Sequence, residues 1–312
     1  MSMRVAQPGL LSLIQDGGRY GRHNIGLTTG GPLDGGAFAM CNRLLGNTPG
    51  SALVEISFGG LQLEAQVDTY ICVTGADVPL TINGHDADLW RSHRVRAGEI
   101  IALEFATTGC RAYLGVAGGF DIPQSFGSSA TVVREHIGGL TGDKLNAGDL
   151  LPCKAVTEHR CKYLPPEHQP RYHDTVTVRV IPGYQQSSFS RLQQRRFFSN
   201  AYEVSDRCDR MGYRLEGPAI DCDIQGILSE GICHGAIQIP ADGQPIVLLN
   251  DRQTIGGYPK IGSALSLDTH SLAQLRPGGK VFFTPISTHA AHNALHLASS
   301  FILRQPVREC PP

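Results

Sequence analysis

Side chains suited to acid–base and anion-binding chemistry concentrate in the second half of this 312-residue chain. They are Asp206, Arg207, Asp209, Arg210, Arg214, Glu230, His234, Gln238, Asp251, Gln253, Tyr258 and Lys260. Carboxylates can position a proton or a water molecule, cations can hold a carboxylate, and amides or phenols can donate to developing negative charge. The pattern predicts a site for a small polar molecule in the C-terminal half.

The glycine and proline residues around these side chains also favour a site. In segment 229–240 the glycines allow close backbone approach, and Gln238 interrupts an apolar strand. Segment 242–259 reads as a turn, a buried strand and a polar Gly-Gly loop, and functional groups often follow the end of a rigid strand. Capping of loop amides is an equal alternative for Asp251 and Gln253.

Three further points in these glycine-rich segments stay open. Arg210 and Arg214 could instead form ion pairs at a domain interface. The Tyr258–Pro259 bond could be cis, as a minority of X–Pro bonds are. Near the N-terminus, turn building with a structural ion pair is a better account of Asp16 and Arg19 than catalysis.

Short apolar runs separated by turn residues predict the elements that position these groups. The runs are 52–56, 69–74, 100–105, 112–116, 176–181, 246–249 and 281–283. This spacing is typical of barrels and sandwiches, so we expect a mainly β fold. Few helices are predicted: 36–45 with Asp34 as N-cap, 268–274 and 287–304. The basic segment 184–200 is either a mobile loop or a short helix.

A polar, proline-rich stretch at 153–174 is the predicted linker, so we expect one β lobe over residues 1–160 and another, with a C-terminal helix, over 161–312. The formal net charge of -1 gives no field that would recruit nucleic acid or an anionic membrane. No signal-peptide pattern or apolar stretch of about 20 residues is present, which favours a soluble, cytoplasmic protein.

Several common sites are missing from the sequence. It has no P-loop, no Gly-x-Gly fingerprint and no Gly-x-Ser-x-Gly elbow. It also lacks the Met-Lys-Met of a biotin carrier, so this chain should carry no covalent biotin. His289, His292 and His296 share a helical spacing but fit a polar helix surface better than a metal site, and we assign no metal.

Ordered motifs along nearly the whole chain resemble one family. They are Gln15-Asp16-Gly17-Gly18-Arg19, Gly31-Pro32-Leu33-Asp34, Tyr113-Leu114-Gly115-Val116-Ala117-Gly118-Gly119, Arg210-Met211-Gly212-Tyr213-Arg214-Leu215-Glu216-Gly217 and Gln253-Thr254-Ile255-Gly256-Gly257-Tyr258-Pro259. The chain resembles the family of the 5-oxoprolinase C subunits, which is grouped with the carboxyltransferase domain of urea carboxylase and with allophanate hydrolase subunit 2 proteins.

The resemblance implies two cyclophilin-like β-barrel lobes. It also implies work with the B and A subunits of 5-oxoprolinase to open the lactam of 5-oxo-L-proline to L-glutamate, with ATP and Mg used by the complex. In that reaction Arg214 or Lys260 would hold the substrate carboxylate, while Gln238, Gln253 and Tyr258 would stabilise developing charge. Glu230 or Asp251 would position a proton or water, which makes Glu230, Asp251 and Tyr258 the catalytic candidates.

Two other functions fit the same resemblance. The first is a biotin-dependent carboxyltransferase acting on urea or a related amide. The second is a protein without turnover that antagonises an inhibitor of a sensor kinase.

Overall fold

A computed structural model describes residues 1–224 and 226–310, and the chain divides into two compact units. Unit 1 contains residues 1–21, 30–172 and the chain from residue 304, whereas unit 2 contains residues 22–29 and 173–303. Unit 1 therefore continues past the expected boundary at residue 160. The reason is that residues 162–163 pair with residues 308–309, and the Tyr172 hydroxyl donates to Asp34 at 2.8 Å.

Two antiparallel sheets contain eleven of the strands in unit 1. Its first twelve strands are β1 (Ser2–Pro8), β2 (Leu11–Gln15), β3 (Leu53–Ser57), β4 (Leu61–Ala65), β5 (Thr69–Asp77), β6 (Leu80–Ile82), β7 (His85–Ala87), β8 (Ser92–Val95), β9 (Ile100–Leu103), β10 (Thr108–Val116), β11 (Leu150–Pro152) and β12 (Lys162–Tyr163). One sheet has the order β11-β1-β4-β9-β6-β7 and the other β2-β3-β10-β5-β8. One apolar core lies between them, because alternate residues of strands such as β4 are buried.

Helix α1 (Gly35–Leu44) covers the second sheet of unit 1. Strands β5 and β10 are consequently buried along nearly their whole length, and the sequence there shows continuous apolar runs. Asp34 is the N-cap, as predicted, and its side chain accepts from the Ala37 amide at 3.0 Å.

Unit 2 contains a closed seven-stranded barrel with the order β13-β20-β17-β18-β15-β14-β21. Its strands and those of a small ribbon are β13 (Thr175–Pro182), β14 (Ala201–Cys208), β15 (Gly212–Glu216), β16 (Glu230–Gly231), β17 (Ala236–Gln238), β18 (Ile246–Leu248), β19 (Ile255–Gly256), β20 (Lys260–Ala264) and β21 (Lys280–Pro285). The closing pair, β13 with β21, is parallel, and the remaining barrel pairs are antiparallel. Strands β16 and β19 form a separate two-stranded ribbon, and β22 (Arg308–Glu309) pairs with β12 in unit 1.

Three helices belong to the second half of the chain: α2 (Arg191–Ser199), α3 (Ser266–Leu272) and α4 (Thr288–Arg304). The predicted mainly β fold with few helices is confirmed. Segment 184–200 forms a 3-10 turn at Tyr184–Ser188 followed by α2, so the short-helix alternative holds there. The histidines of α4 are exposed. No helix in the described part of the chain is both long and apolar enough to cross a membrane.

Candidate functional site

A cavity of about 410 Å³ lies on the outer wall of the unit 2 barrel. Tyr213, Ile237 and Val247 are fully buried, and the residues that alternate with them on β15, β17 and β18 point to the opposite face, where the cavity lies. Its lining residues are Asp206, Arg207, Cys208, Asp209, Met211, Gly212, Arg214, Ile232, Gln238, Ile246, Leu248, Gln253 and Tyr258. The wall therefore combines aliphatic side chains with cations, carboxylates and amides.

One row of residues crosses three neighbouring strands of this wall. Arg214 is the register partner of Ile246, and Ile246 is the partner of Gln238. Gln238 pairs with Lys260 across a shift in register, and Lys260 does not line the cavity. Directly opposed residues in antiparallel strands project from the same face, so the row shares one surface. It places a cation at one end and an amide at the other, with an apolar residue between them.

Four of the seven predicted site residues line the cavity: Arg214, Gln238, Gln253 and Tyr258. Arg214 and Gln253 are exposed, and Tyr258 keeps 47% of its surface accessible. Gln253 lies between β18 and β19 and Tyr258 follows β19, whereas Arg214 and Gln238 come from barrel strands. The four side chains thus combine one cation, two amides and a phenol around one space. Within residues 1–224 and 226–310 the peptide bonds, including Tyr258–Pro259, are trans.

Gln238 differs from the other lining residues because it is only 5% exposed. Its Nε2 is buried and has no hydrogen-bond partner. A buried amide without a partner costs about 1–3 kcal/mol, a cost that a ligand can remove. Nε2 lies against Gly256, where a Cβ atom would come within 2.9 Å of it.

Glu230 and Lys260 form a second polar group beside the row. The Lys260 ammonium pairs with Glu230, and Gln185 donates to the same carboxylate at 3.0 Å. The hydrogen bond from Lys260, followed by one from Tyr184, lowers the pKa of Glu230. Conversely, the hydrogen bond to Glu230 raises the pKa of Tyr184. Because Glu230 is held ionised by Lys260, neither side chain is free to act alone, and neither lines the cavity.

Asp251 lies away from the cavity wall in a buried ion pair. Arg210 donates to it from Nε at 2.8 Å and from a terminal nitrogen at 2.9 Å. The backbone amide of Asp251 also donates to the Arg210 carbonyl, so the pair joins the ends of β15 and β18. Both partners belong to unit 2, and this geometry indicates a structural role for the carboxylate.

The N-terminal motif around Asp16 and Arg19 is structural as well. Asp16 accepts from the hydroxyl groups of Ser128 and Ser129, and Arg19 donates to the carbonyls of Ser125 and Ala130. Both side chains are buried. The motif fastens loop 125–131 within unit 1.

Sequence reasoning missed Tyr184 and Gln185, which it placed in a loop of undecided structure. Gln185 is buried and its Oε1 accepts from the Lys260 amide at 2.7 Å. The proximity of these residues to Glu230 depends on a separation of 45 residues along the chain, which no local pattern encodes. His234, named among the polar residues, lies outside the cavity lining, and burial lowers its pKa to about 4.

The profile of the family described as "Carboxyltransferase domain, subdomain A and B" matches residues 25–285. The chain belongs to this family. It is 34% identical over 295 residues to the C subunit of 5-oxoprolinase from Escherichia coli, covering 94% of each chain. It is 35% identical to the C subunit of 5-oxoprolinase from Haemophilus influenzae, covering 89% of each.

Solved structures support the same family. The chain matches the urea amidolyase of Kluyveromyces lactis with a TM-score of 0.89 at 26% identity, over 96% of this chain and 20% of that one. The urea carboxylase of Kluyveromyces lactis gives the same TM-score and identity, over 96% of this chain and 29% of that one. The chain therefore spans about a fifth to a third of those larger proteins.

Proposed function

We propose that this carboxyltransferase-family chain is the C subunit of an ATP-dependent 5-oxoprolinase. In a complex with the A and B subunits it would convert 5-oxo-L-proline to L-glutamate. The proposal is supported by the relatives named as C subunits of 5-oxoprolinase, which match it over nearly their whole length. The observation that carries it is the cavity on the barrel wall. There an exposed cation, Arg214, and a buried amide, Gln238, lie in one row on either side of Ile246.

The cavity chemistry suits such a substrate. Arg214 is a planar cation that can bind a carboxylate through two parallel hydrogen bonds. Ile246 stands between Arg214 and Gln238 in the row, so an apolar ring would pass over it. Adjacent strands are about 4.8 Å apart, which separates Arg214 from Gln238 by roughly 10 Å at the backbone.

The lactam is resonance-stabilised, so its opening needs an activated carbonyl, and this is the role we assign to ATP consumed by the complex. On this chain Gln238, Gln253 and Tyr258 would donate hydrogen bonds to the oxygen that gains charge. Tyr258 is the catalytic candidate that lines the cavity. Glu230 and Asp251 are each held by a cation, so their proposed part is to position neighbouring groups.

The test is reconstitution of the full chain with the A and B subunits, followed by assay of ADP release that depends on 5-oxo-L-proline. Arg214→Met should raise KM for the substrate about tenfold or more, because a charged hydrogen bond to the carboxylate is lost. Glu216→Gln, an exposed change on the same strand, is the control. A complete complex that releases no ADP in response to 5-oxo-L-proline would refute the proposal.

A second function is favoured by the structural match to urea amidolyase and urea carboxylase. The same cavity would then receive an amide such as urea for carboxylation, with biotin supplied by another protein. Incorporation of labelled bicarbonate into urea, measured with a biotin carboxylase and carrier present, distinguishes this function from lactam opening.

A further inference from the structure

The carboxamide of Gln238 carries both a donor and an acceptor, and this points to the shape of the group it binds. Its Nε2 makes no hydrogen bond within the described residues, although the residue is nineteen-twentieths buried. A carboxamide presents N–H and C=O along one edge, so it can make two parallel hydrogen bonds to a group that does the same.

We infer that Gln238 binds, through both carboxamide atoms, a ligand amide whose N–H and C=O lie on the same edge. Lactams have this arrangement because the ring holds the amide cis, and cyclic ureas have it as well. A trans amide of an open-chain peptide directs the two groups to opposite sides, so it cannot make both bonds. This inference rests on the proposed function, and it restricts the ligands of the cavity to those with a cis amide.

The absence of a side chain at Gly256 leaves the space that the Gln238 carboxamide occupies. A Cβ atom at Gly256 would lie 2.9 Å from Nε2 of Gln238 and 2.4 Å from Cδ1 of Ile232. Both of these side chains contribute to the cavity lining. The terminal torsion of glutamine is broad, so the carboxamide can turn from Gly256 toward the cavity at little cost. Gly256 is therefore a positioning residue that acts through Gln238.

The first experiment measures binding to the full chain by calorimetry. The probes are 5-oxo-L-proline, N-methyl-5-oxo-L-proline, which lacks the N–H, and 2-imidazolidinone, a cyclic urea without a carboxylate. Wild-type protein should bind 5-oxo-L-proline about tenfold more tightly than the N-methyl compound, because one buried hydrogen bond is lost. In Gln238→Met, which keeps the volume without the amide, this preference should fall to about twofold or less.

The controls separate this result from general damage. Gln7→Met makes the same chemical change at an exposed position of unit 1 and should keep the tenfold preference. Gly256→Ala should reduce the preference as Gln238→Met does, because only the ends of two side chains must shift. Gly231→Ala is its matched partner in the same ribbon, since a Cβ there meets no atom within 4 Å, and it should leave the preference unchanged.

The outcomes decide between this inference and the proposed function. If N-methylation of 5-oxo-L-proline weakens binding to wild type and to Gln238→Met by the same factor, the role of Gln238 is overturned. Failure of wild-type protein to bind either 5-oxo-L-proline or 2-imidazolidinone also overturns it. If 2-imidazolidinone binds in a Gln238-dependent way but the reconstituted complex releases no ADP with 5-oxo-L-proline, the cis-amide site stands and the proposed function fails.

Discussion

Replacing Asp251 separates a structural role from a catalytic one, because its carboxylate pairs with a buried guanidinium. The side chains of Arg210 and Asp251 keep only 6% and 9% of their surfaces exposed. Asp251→Leu leaves the Arg210 charge buried without that carboxylate. Removing one partner of such a pair costs about 3–5 kcal/mol. For a unit of this size the thermal midpoint should fall by roughly 10–15 °C.

The assay is thermal unfolding followed by circular dichroism, with ADP release by the reconstituted complex measured in parallel at low temperature. The double variant Arg210→Met/Asp251→Leu should unfold at a higher temperature than Asp251→Leu, since it removes the buried guanidinium together with its carboxylate. Glu216→Gln, an exposed change, should stay within about 0.5 kcal/mol of wild type. An Asp251→Leu protein that keeps its thermal midpoint but loses ADP release would refute the structural assignment.

Three other changes test the electrostatics and the capping described above. His234 has a pKa of about 4 in the folded chain against 6.5 for the ordinary group. As the pH falls, His234 therefore takes up its proton in the unfolded chain before it does so in the folded chain. The free energy of unfolding should fall by up to about 3 kcal/mol as the pH drops from 6.5 to 4. His234→Gln should remove that dependence in acid unfolding curves, and an unchanged slope would contradict it. Glu230→Gln should lower the pKa of Tyr184 toward its ordinary value, which ultraviolet difference titration against a Tyr184→Phe control will detect. Asp34→Ala should cost about 1–2 kcal/mol in urea unfolding, because the bond to the Ala37 amide is lost, and a smaller cost than about 0.5 kcal/mol would argue against the cap.

The sequence predicts well the features that depend on neighbours along the chain. The mainly β fold follows from short apolar runs between turns, and the N-cap at Asp34 follows from the residue type before an apolar helix. Gln238 was identified because an amide interrupts an apolar strand, and the structure places it at the cavity.

Features that depend on strand register could not be predicted in this way. The row through Arg214, Ile246 and Gln238 exists because two separate strand pairs align, and a shift of one residue would turn each side chain to the other face. The partner of Asp251 lies 41 residues away. The sequence therefore predicted a catalytic or loop-capping carboxylate at Asp251 and offered an ion pair at a domain interface for Arg210, but it did not pair the two residues. The residue type of Asp251 alone does not distinguish a carboxylate in an ion pair from a catalytic one.

The division of the chain into units has a consequence for how the protein is made and dissected. Unit 1 takes strand β22 from the far end of the chain, and unit 2 takes residues 22–29 from near its beginning. During synthesis, β12 therefore cannot pair until residues 308–309 have left the ribosome. Expression of residues 1–160 or 161–312 as separate fragments would remove a segment from each unit. Recombinant versions of either unit therefore need its distant segment to be joined to it, for example by circular permutation.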